Sequence, residues 1–233
     1  MSGSFVLGAY WGARREDVDW CAVRFTVCMS ELAGLHPLLR GWQGQGDSRE
    51  EAMAMPILAP EHGAVREALL HGSKASGAED PATSERGFRI GLWNGQEPGV
   101  ALSVSCGAER LAGRMKNRFL LDLPPGDKAR DLYAPDLVHS MMATVINAWE
   151  PDWATFYDDA IGDIQHPATG SAIVGWLTYR ATPLSISPDQ LPAPQPSSPT
   201  GRAPSSASAT TRCVSPRNTP PRSTPLSPPD LLA

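Results

Sequence analysis

Apolar residues recur with two different periods along the first 180 residues, and each period predicts one type of secondary structure. Continuous or alternating apolar runs predict β-strands over 5–11, 38–43, 88–94, 99–106, 117–123, 153–157 and 173–179. The run over 5–11 is apolar on both faces, which predicts a strand in the middle of a sheet. Several strands follow one another without an intervening helix, so the sheet is predicted to be antiparallel or mixed.

Three segments instead carry the spacing of a helix with one buried stripe. In the first, over about 15–33, steps of four and three residues place these apolar side chains on one face: Val18, Ala22, Phe25, Met29 and Leu32. The second covers 60–70, and the third covers 135–149 between Pro135 and Pro151. We therefore predict an α+β fold, an antiparallel or mixed β-sheet with two to three covering helices.

Short polar segments predict the connections between these elements. Turns or loops are expected over 44–49 and 72–87, and Asn94-Gly95 is a hairpin turn signal. The acidic residues Asp158, Asp159 and Asp163 follow a predicted strand and indicate a solvated loop, with a cation site as the alternative.

The composition changes abruptly near Pro192. From residue 193 to 233 the chain contains ten prolines and eight serines, with no aromatic residue. Such a segment cannot bury enough apolar surface to offset its chain entropy. We predict a single folded domain over 1–192 and a disordered Pro/Ser/Arg-rich C-terminal tail over 193–233. Because a GC-rich gene encodes this composition in a wrong reading frame, we hypothesise a frameshifted terminus; a genuine flexible tail is the alternative.

The chain is acidic, with 20 basic and 25 acidic residues and a formal charge of −5. The tail is basic, so residues 1–192 are more acidic than the whole chain. This balance argues against nucleic acid as a direct partner, because phosphate binding needs clustered Lys and Arg. It suits a basic protein partner, although an acidic surface can also serve only solubility.

Two further features predict a cytoplasmic protein. No apolar run approaches 18 residues and no secretory signal is evident, so we expect neither a membrane span nor export. Cys21 and Cys28 lie seven residues apart on a predicted helix, about 10 Å, which is too far for a disulfide. They are expected to be reduced core residues.

The motifs of common enzymes are missing from the sequence. There is no acid-x-Lys pair of the nuclease type, no H-E-x-x-H, no Cys-x-x-Cys, no G-x-S-x-G and no P-loop. We therefore expect no catalytic residue, no metal and no cofactor. Two other functions stay open: an enzyme with an unrecognised site, and an adaptor that acts through its proline-rich tail.

Several short motifs, taken in order, resemble a known family. They are Gly8-Ala9-Tyr10-Trp11-Gly12, Leu38-Leu39-Arg40-Gly41-Trp42, Gly91-Leu92-Trp93-Asn94-Gly95 and Gly175-Trp176-Leu177-Thr178-Tyr179. Together they resemble the immunity protein 52 family over roughly residues 4–185. The resemblance implies a cytoplasmic protein that binds a cognate polymorphic toxin, a nuclease of restriction-endonuclease type, in some systems delivered by type VI secretion. The family pattern also implies a further strand and helix where the proline-rich tail begins here.

The resemblance divides the notable residues into two groups. Acidic residues are expected to face a basic, DNA-binding toxin: Asp17, Asp19, Asp47, Glu50, Glu51, Asp158 and Asp159. Residues of the family motifs are expected to be structural: Gly8, Tyr10, Trp11, Gly12, Trp93, Gly175 and Trp176. The seven tryptophans are expected mainly to pack in the core, with one or two as exposed anchors for a partner in the alternative interpretation.

Overall fold

A computed structural model describes residues 3–46, 48–75, 86–109, 117–165 and 173–182 of the chain. The strands in this part are β1 (Phe5–Trp11), β2 (Gln43–Gly44), β3 (Phe88–Trp93), β4 (Ala101–Cys106), β5 (Asn117–Leu123), β6 (Trp153–Asp158) and β7 (Leu177–Arg180). The helices are α1 (Val18–Leu35), α2 (Arg49–Ala54), α3 (His62–Ala75), α4 (Pro135–Trp149) and α5 (Asp159–Gln165). The predicted tail after residue 192 lies outside the described residues.

The described strands form one sheet in the order β2-β3-β4-β5-β1-β6-β7. Each neighbouring pair is antiparallel. β1 lies between β5 and β6, which confirms the prediction of an inner strand, and the sheet with its helices confirms the α+β class.

One face of the sheet is covered by helices and holds the core. Strand pairing places a row of buried apolar side chains on this face: Leu92, Leu102, Leu121, Leu7 and Phe156. Helix α1 contacts both α3 and α4, so it lies between them in the helical layer. Helix α3 packs on β3, and α4 packs on β1 and β6.

Helices α1 and α4 follow the sequence pattern closely. The predicted stripe of α1 is buried along its whole length, from Val18 to Leu32. The helix begins at Val18 because the Asp17 carboxylate caps it, accepting the Trp20 N–H at 2.7 Å. Helix α4 has the predicted bounds and ends at Glu150, whose φ of 46° turns the chain out of the helix.

The predicted strand over 38–43 is wrong. Pro37 instead begins a 3₁₀ turn over Pro37–Leu39, which His36 caps by accepting the Leu38 N–H at 3.1 Å. The ring of Pro37 fixes φ near the value that such a turn needs. Only Gln43–Gly44 pairs with the sheet, so β2 is a two-residue edge strand.

Two predicted loops are partly helical. Helix α3 continues to Ala75 because Gly72 allows it to pack closely on β3, where a Cβ would meet the Arg89 carbonyl oxygen. The rest of that predicted loop, 76–85, lies outside the described residues. The predicted acidic loop after β6 is helix α5, which Asp158 begins by accepting the Ile161 N–H at 2.9 Å.

The remaining connections show two smaller differences. Ser48 caps the short helix α2, which the sequence pattern did not predict. The β3–β4 hairpin turns at Asn94-Gly95 as expected, but its connection is longer than two residues. The Asn94 side chain closes this connection by accepting the N–H groups of Gln96 and Val100 at 3.2 and 3.0 Å.

The described cysteines are buried and unbridged, as predicted for Cys21 and Cys28. Burial raises the pKa of the Cys28 thiol to about 12. This thiol therefore stays protonated at physiological pH and packs as a small apolar group.

Candidate functional site

The opening motif sends its two aromatic residues to opposite faces of the sheet. Trp11 faces the helices, is fully buried and stacks on Trp149 with ring centroids 5.3 Å apart. Tyr10 faces the other side and stacks on Trp153 at 5.2 Å. Gly8 leaves room for the Tyr10 ring, because a Cβ at Gly8 would approach the Tyr10 hydroxyl oxygen to 2.7 Å. The motif therefore packs β1 against α4 on one face of the sheet and against the β6 side chain Trp153 on the other.

Gly12 fixes the chain where it leaves β1. Its N–H donates to the Asp152 carboxylate at 2.8 Å, and its carbonyl accepts the Asn117 side-chain amide at 2.8 Å. Asn117 is fully buried and also accepts the Ala108 N–H at 3.0 Å. These bonds join the β1–α1, β4–β5 and α4–β6 connections at one end of β1.

A charged network links this end of β1 to the end of α4. The side chain of Glu16 is 6% exposed, and one oxygen lies 3.2 Å from Arg14 Nε and 3.1 Å from Arg24 Nε. Arg14 also donates to the Trp149 carbonyl and Arg24 to the Ala148 carbonyl, both at 2.7 Å. These carbonyls end helix α4, where cations are favoured by the helix dipole.

The other family-motif residues lie on β3 and directly before β7. Trp93 ends β3 on the face away from the helical layer. Gly175 approaches β6 so closely that a Cβ there would meet the Phe156 carbonyl oxygen. The neighbouring Trp176 is 43% exposed.

The predicted acidic residues do not form one cluster. Asp17 and Asp19 lie at the start of α1, whereas Asp158 pairs in register with Phe5 at the start of β1. Because β1 is seven residues long, its two ends are about 20 Å apart. Glu50 and Glu51 lie on the first turn of α2, and Asp47 lies outside the described residues.

The aspartates at the two ends of β1 have different charged neighbours. Asp19 lies 3.1 Å from Arg66 Nε and 3.4 Å from His62 Nε2, so α3 already supplies positive charge to it. At the other end of the sheet, partial burial and the charge of Asp159 raise the pKa of Asp122. Asp122 was not predicted as a site residue, although the alternation of β5 places it on the face away from the core.

A shallow depression of about 330 Å³ lies beside Asp122. Its lining includes Trp93, Glu97, Pro98, Asp122, Pro124 and Lys128. None of its lining residues is a histidine, cysteine or tyrosine, so it offers only carboxylates and one amine for acid–base chemistry. Within the described ranges, no three His, Cys, Asp or Glu side chains are grouped to hold a metal ion.

The sequence prediction also missed an exposed apolar stripe on α1. Trp20, Val23 and Val27 are 51%, 41% and 46% exposed, on the helix face opposite the core. The signal was present in the sequence, since these residues follow the same steps of three and four as the buried stripe.

The sequence of the chain matches a known protein family. A sequence model of the family described as Immunity protein 52 matches residues 3–199, and the chain belongs to this family. Membership makes it an immunity protein, whose role is to bind a cognate toxin. No curated protein matches the chain. None of the helices in the described part is both long and apolar enough to cross a membrane.

Proposed function

We propose that this chain acts in the bacterial cytoplasm, where it binds and neutralises a nuclease toxin of restriction-endonuclease type. The toxin belongs to a polymorphic toxin system, such as one delivered by type VI secretion. Inhibition takes place by protein–protein contact that covers or distorts the nuclease cleft, without any reaction carried out by the immunity protein itself.

Family membership is the observation that carries this proposal. The acidic character of the chain supports it, because a nuclease must present a basic cleft to the DNA phosphates. Opposite charges accelerate association and disfavour neutral partners. We assign this steering role to the acidic residues on the surface: Asp17, Asp19, Glu50, Glu51, Asp158 and Asp159.

The family-motif residues have a different role in this proposal. Trp11 and Gly12 are engaged by the core and by buried hydrogen bonds, so a partner cannot reach the Trp11 ring without unfolding the sheet. We assign Gly8, Tyr10, Trp11, Gly12, Trp93, Gly175 and Trp176 to the framework that holds the binding surface. We likewise propose residues 1–192 as the functional domain.

Co-expression with the toxin tests the proposal. The nuclease domain encoded beside this chain's gene is co-purified with the full chain, and DNA cleavage is measured for the complex and for the separated nuclease. We expect a stable complex without DNase activity and an active nuclease after separation. A co-purified nuclease that still cleaves DNA, or the absence of a complex, contradicts the proposal.

A further inference from the structure

Helix α1 is apolar on two opposite faces. One face is the buried stripe that runs from Val18 to Leu32. The other is the outer stripe, which we define as Trp20, Val23 and Val27, each between 41% and 51% exposed. A surface helix of a globular protein normally turns charged and polar residues to this side. Packing among the described residues therefore does not account for the outer stripe.

The outer stripe lies at the middle of the helical layer. Because α1 contacts α3 on one side and α4 on the other, its outward face is flanked by both helices. The flanking helices expose polar residues there, such as Glu67 on α3 and Asn147 on α4. An apolar centre with a polar rim is the arrangement of a protein–protein interface.

Trp20 is held in place before any partner binds. The Asp17 carboxylate fixes its backbone N–H, and the Arg24 guanidinium lies 5.2 Å from its ring centroid. Arg24 is itself fixed by Glu16 at 3.1 Å and by Glu150 at 2.8 Å. An anchor that is ordered in the free protein loses little conformational entropy on binding. Tryptophan is also among the residues that dominate binding energy at interfaces.

The rim around the outer stripe is negatively charged. By sequence, the three helices and the residues directly before and after them carry seven acidic residues, Asp17, Asp19, Glu31, Glu61, Glu67, Asp136 and Glu150, and three basic ones, Arg24, Arg66 and Lys74. The pairs Arg24–Glu150 and Arg66–Asp19 engage two of these carboxylates together with two of the basic residues. This set therefore keeps an excess of negative charge, which favours a cationic surface.

The opposite face of the sheet has a different charge pattern. One cross-strand row there contains Arg89, Arg118 and Arg180, whereas Asp122 lies four residues further along β5 on the same face. A basic partner would meet positive charge over part of that face. The helical layer is the face that suits a cationic protein.

From this geometry we infer that the outer stripe of α1, with its acidic rim, is the surface that docks onto the basic face of the toxin. Trp20 is the main anchor, and Asp17 and Asp19 lie beside it at the start of the helix. This inference rests on the proposed function and adds the location of the interface to it.

The test compares two exposed apolar side chains in the full chain. Trp20→Ala removes the anchor, and Ile164→Ala, on α5 and 82% exposed, is the control outside the stripe. Binding to the adjacently encoded nuclease domain is measured by calorimetry, with thermal melting of each variant alone. We expect the Kd to rise about 30-fold or more for Trp20→Ala, as for an interface hot spot, and less than about 3-fold for Ile164→Ala.

A second pair of variants tests whether the partner surface is positively charged. This test remains informative if Trp20→Ala unfolds. Val27→Arg and Val27→Glu place side chains of opposite charge at one exposed position. Against a cationic partner, Val27→Arg is expected to weaken binding more than Val27→Glu, and the difference should shrink at high salt.

The outcomes separate this inference from the proposed function. If the unaltered chain inhibits the nuclease but Trp20→Ala and both Val27 variants bind as tightly, the interface lies elsewhere and this inference is overturned. Loss of binding in an Arg118→Ala variant would then locate it on the other sheet face. If the unaltered chain does not bind the nuclease, the proposed function fails, and this inference fails with it.

Discussion

Glu16 shows how one residue of this chain joins three parts of the fold. Its nearly buried carboxylate bridges Arg14 and Arg24, and both arginines hold carbonyl groups at the end of α4. Arg14 also lies 5.4 Å from the Trp11 ring, and Arg24 lies 5.2 Å from the Trp20 ring. The same charge thus supports the core tryptophan and the exposed one.

Replacing this carboxylate should be costly. Glu16→Gln leaves Arg14 without a carboxylate partner and Arg24 with Glu150 alone, so we expect the free energy of unfolding to fall by about 1–2 kcal/mol. Urea denaturation of the purified chain measures it. Glu31→Gln at the exposed far end of α1 is the matched control and should change stability by less than about 0.5 kcal/mol. Equal effects in the two variants would show that the network is not stabilising.

Replacing the carboxylate of Asp122 should instead stabilise the protein at pH 7. Its raised pKa means that the folded protein binds this proton more tightly than the unfolded chain does. Stability from this group is therefore fullest below the usual aspartate pKa and declines as the pH rises through the folded-state value. Asp122→Asn should raise the free energy of unfolding at pH 7, and the gain should disappear near pH 3.5.

Denaturant titrations at the two pH values check this, with Asp127→Asn as a control of equal charge change in a nearby exposed turn. Asp127→Asn should show no comparable gain at pH 7. A loss of stability in Asp122→Asn at pH 7 would mean that the carboxylate is favoured in the folded state.

Among the elements, α3 depends most clearly on close packing. It contacts α1 along one side and β3 beneath it, and Gly72 brings its backbone against the backbone of β3. The glycine is therefore used for close approach inside a helix, where it is otherwise unfavourable. Its position explains why helix α3 continues to Ala75, into a segment that the sequence predicts to be a loop.

The two glycines of α3 should respond oppositely to alanine. In Gly72→Ala the new methyl group meets the Arg89 carbonyl oxygen, and the helix must shift from β3, so we expect a loss of about 2 kcal/mol or more. In Gly63→Ala nothing lies within 4 Å of the new Cβ, and helix propensity should give a gain of about 0.5 kcal/mol. Thermal unfolding of both variants distinguishes them, and a neutral Gly72→Ala would contradict the packing argument.

At the scale of the whole molecule, the sheet has two unlike faces. The helical side holds the core and exposes an acidic surface with the Trp20 stripe at its centre. The other side carries aromatic residues and three arginines on its strands, with Tyr10 stacked on Trp153. The family match runs over residues 3–199 and so covers nearly all of the predicted domain.

Removing the proline-rich segment discriminates between the functions that the sequence leaves open. We expect a chain ending at residue 192 to bind and inhibit the nuclease within about 3-fold of the full chain, because the proposed surface lies on α1. Calorimetry and a DNase assay measure this. An adaptor that acts through its prolines would instead lose its partner on truncation. Loss of nuclease inhibition in a truncated chain that remains folded would contradict the proposed domain boundary.

The sequence by itself determined the elements whose signals are local. Strand β5 and helix α4 have the predicted bounds, because alternation, a proline at the first helical position and Pro151 all act within a few residues. The four ordered motifs, of which those around Tyr10 and Trp176 are the most specific, also identified the family. The same local signals failed at Pro37–Leu39 and at α5, where short polar and apolar runs fit more than one structure.

Only the tertiary structure decided which surfaces are covered. Periodicity shows that Trp20, Val23 and Val27 share one face of a helix, but it cannot show whether another element packs on that face. The predicted acidic residues likewise separate to opposite ends of β1 only once the strands are paired. Coverage and distance depend on contacts between residues far apart in the chain, and a local pattern carries no information about them.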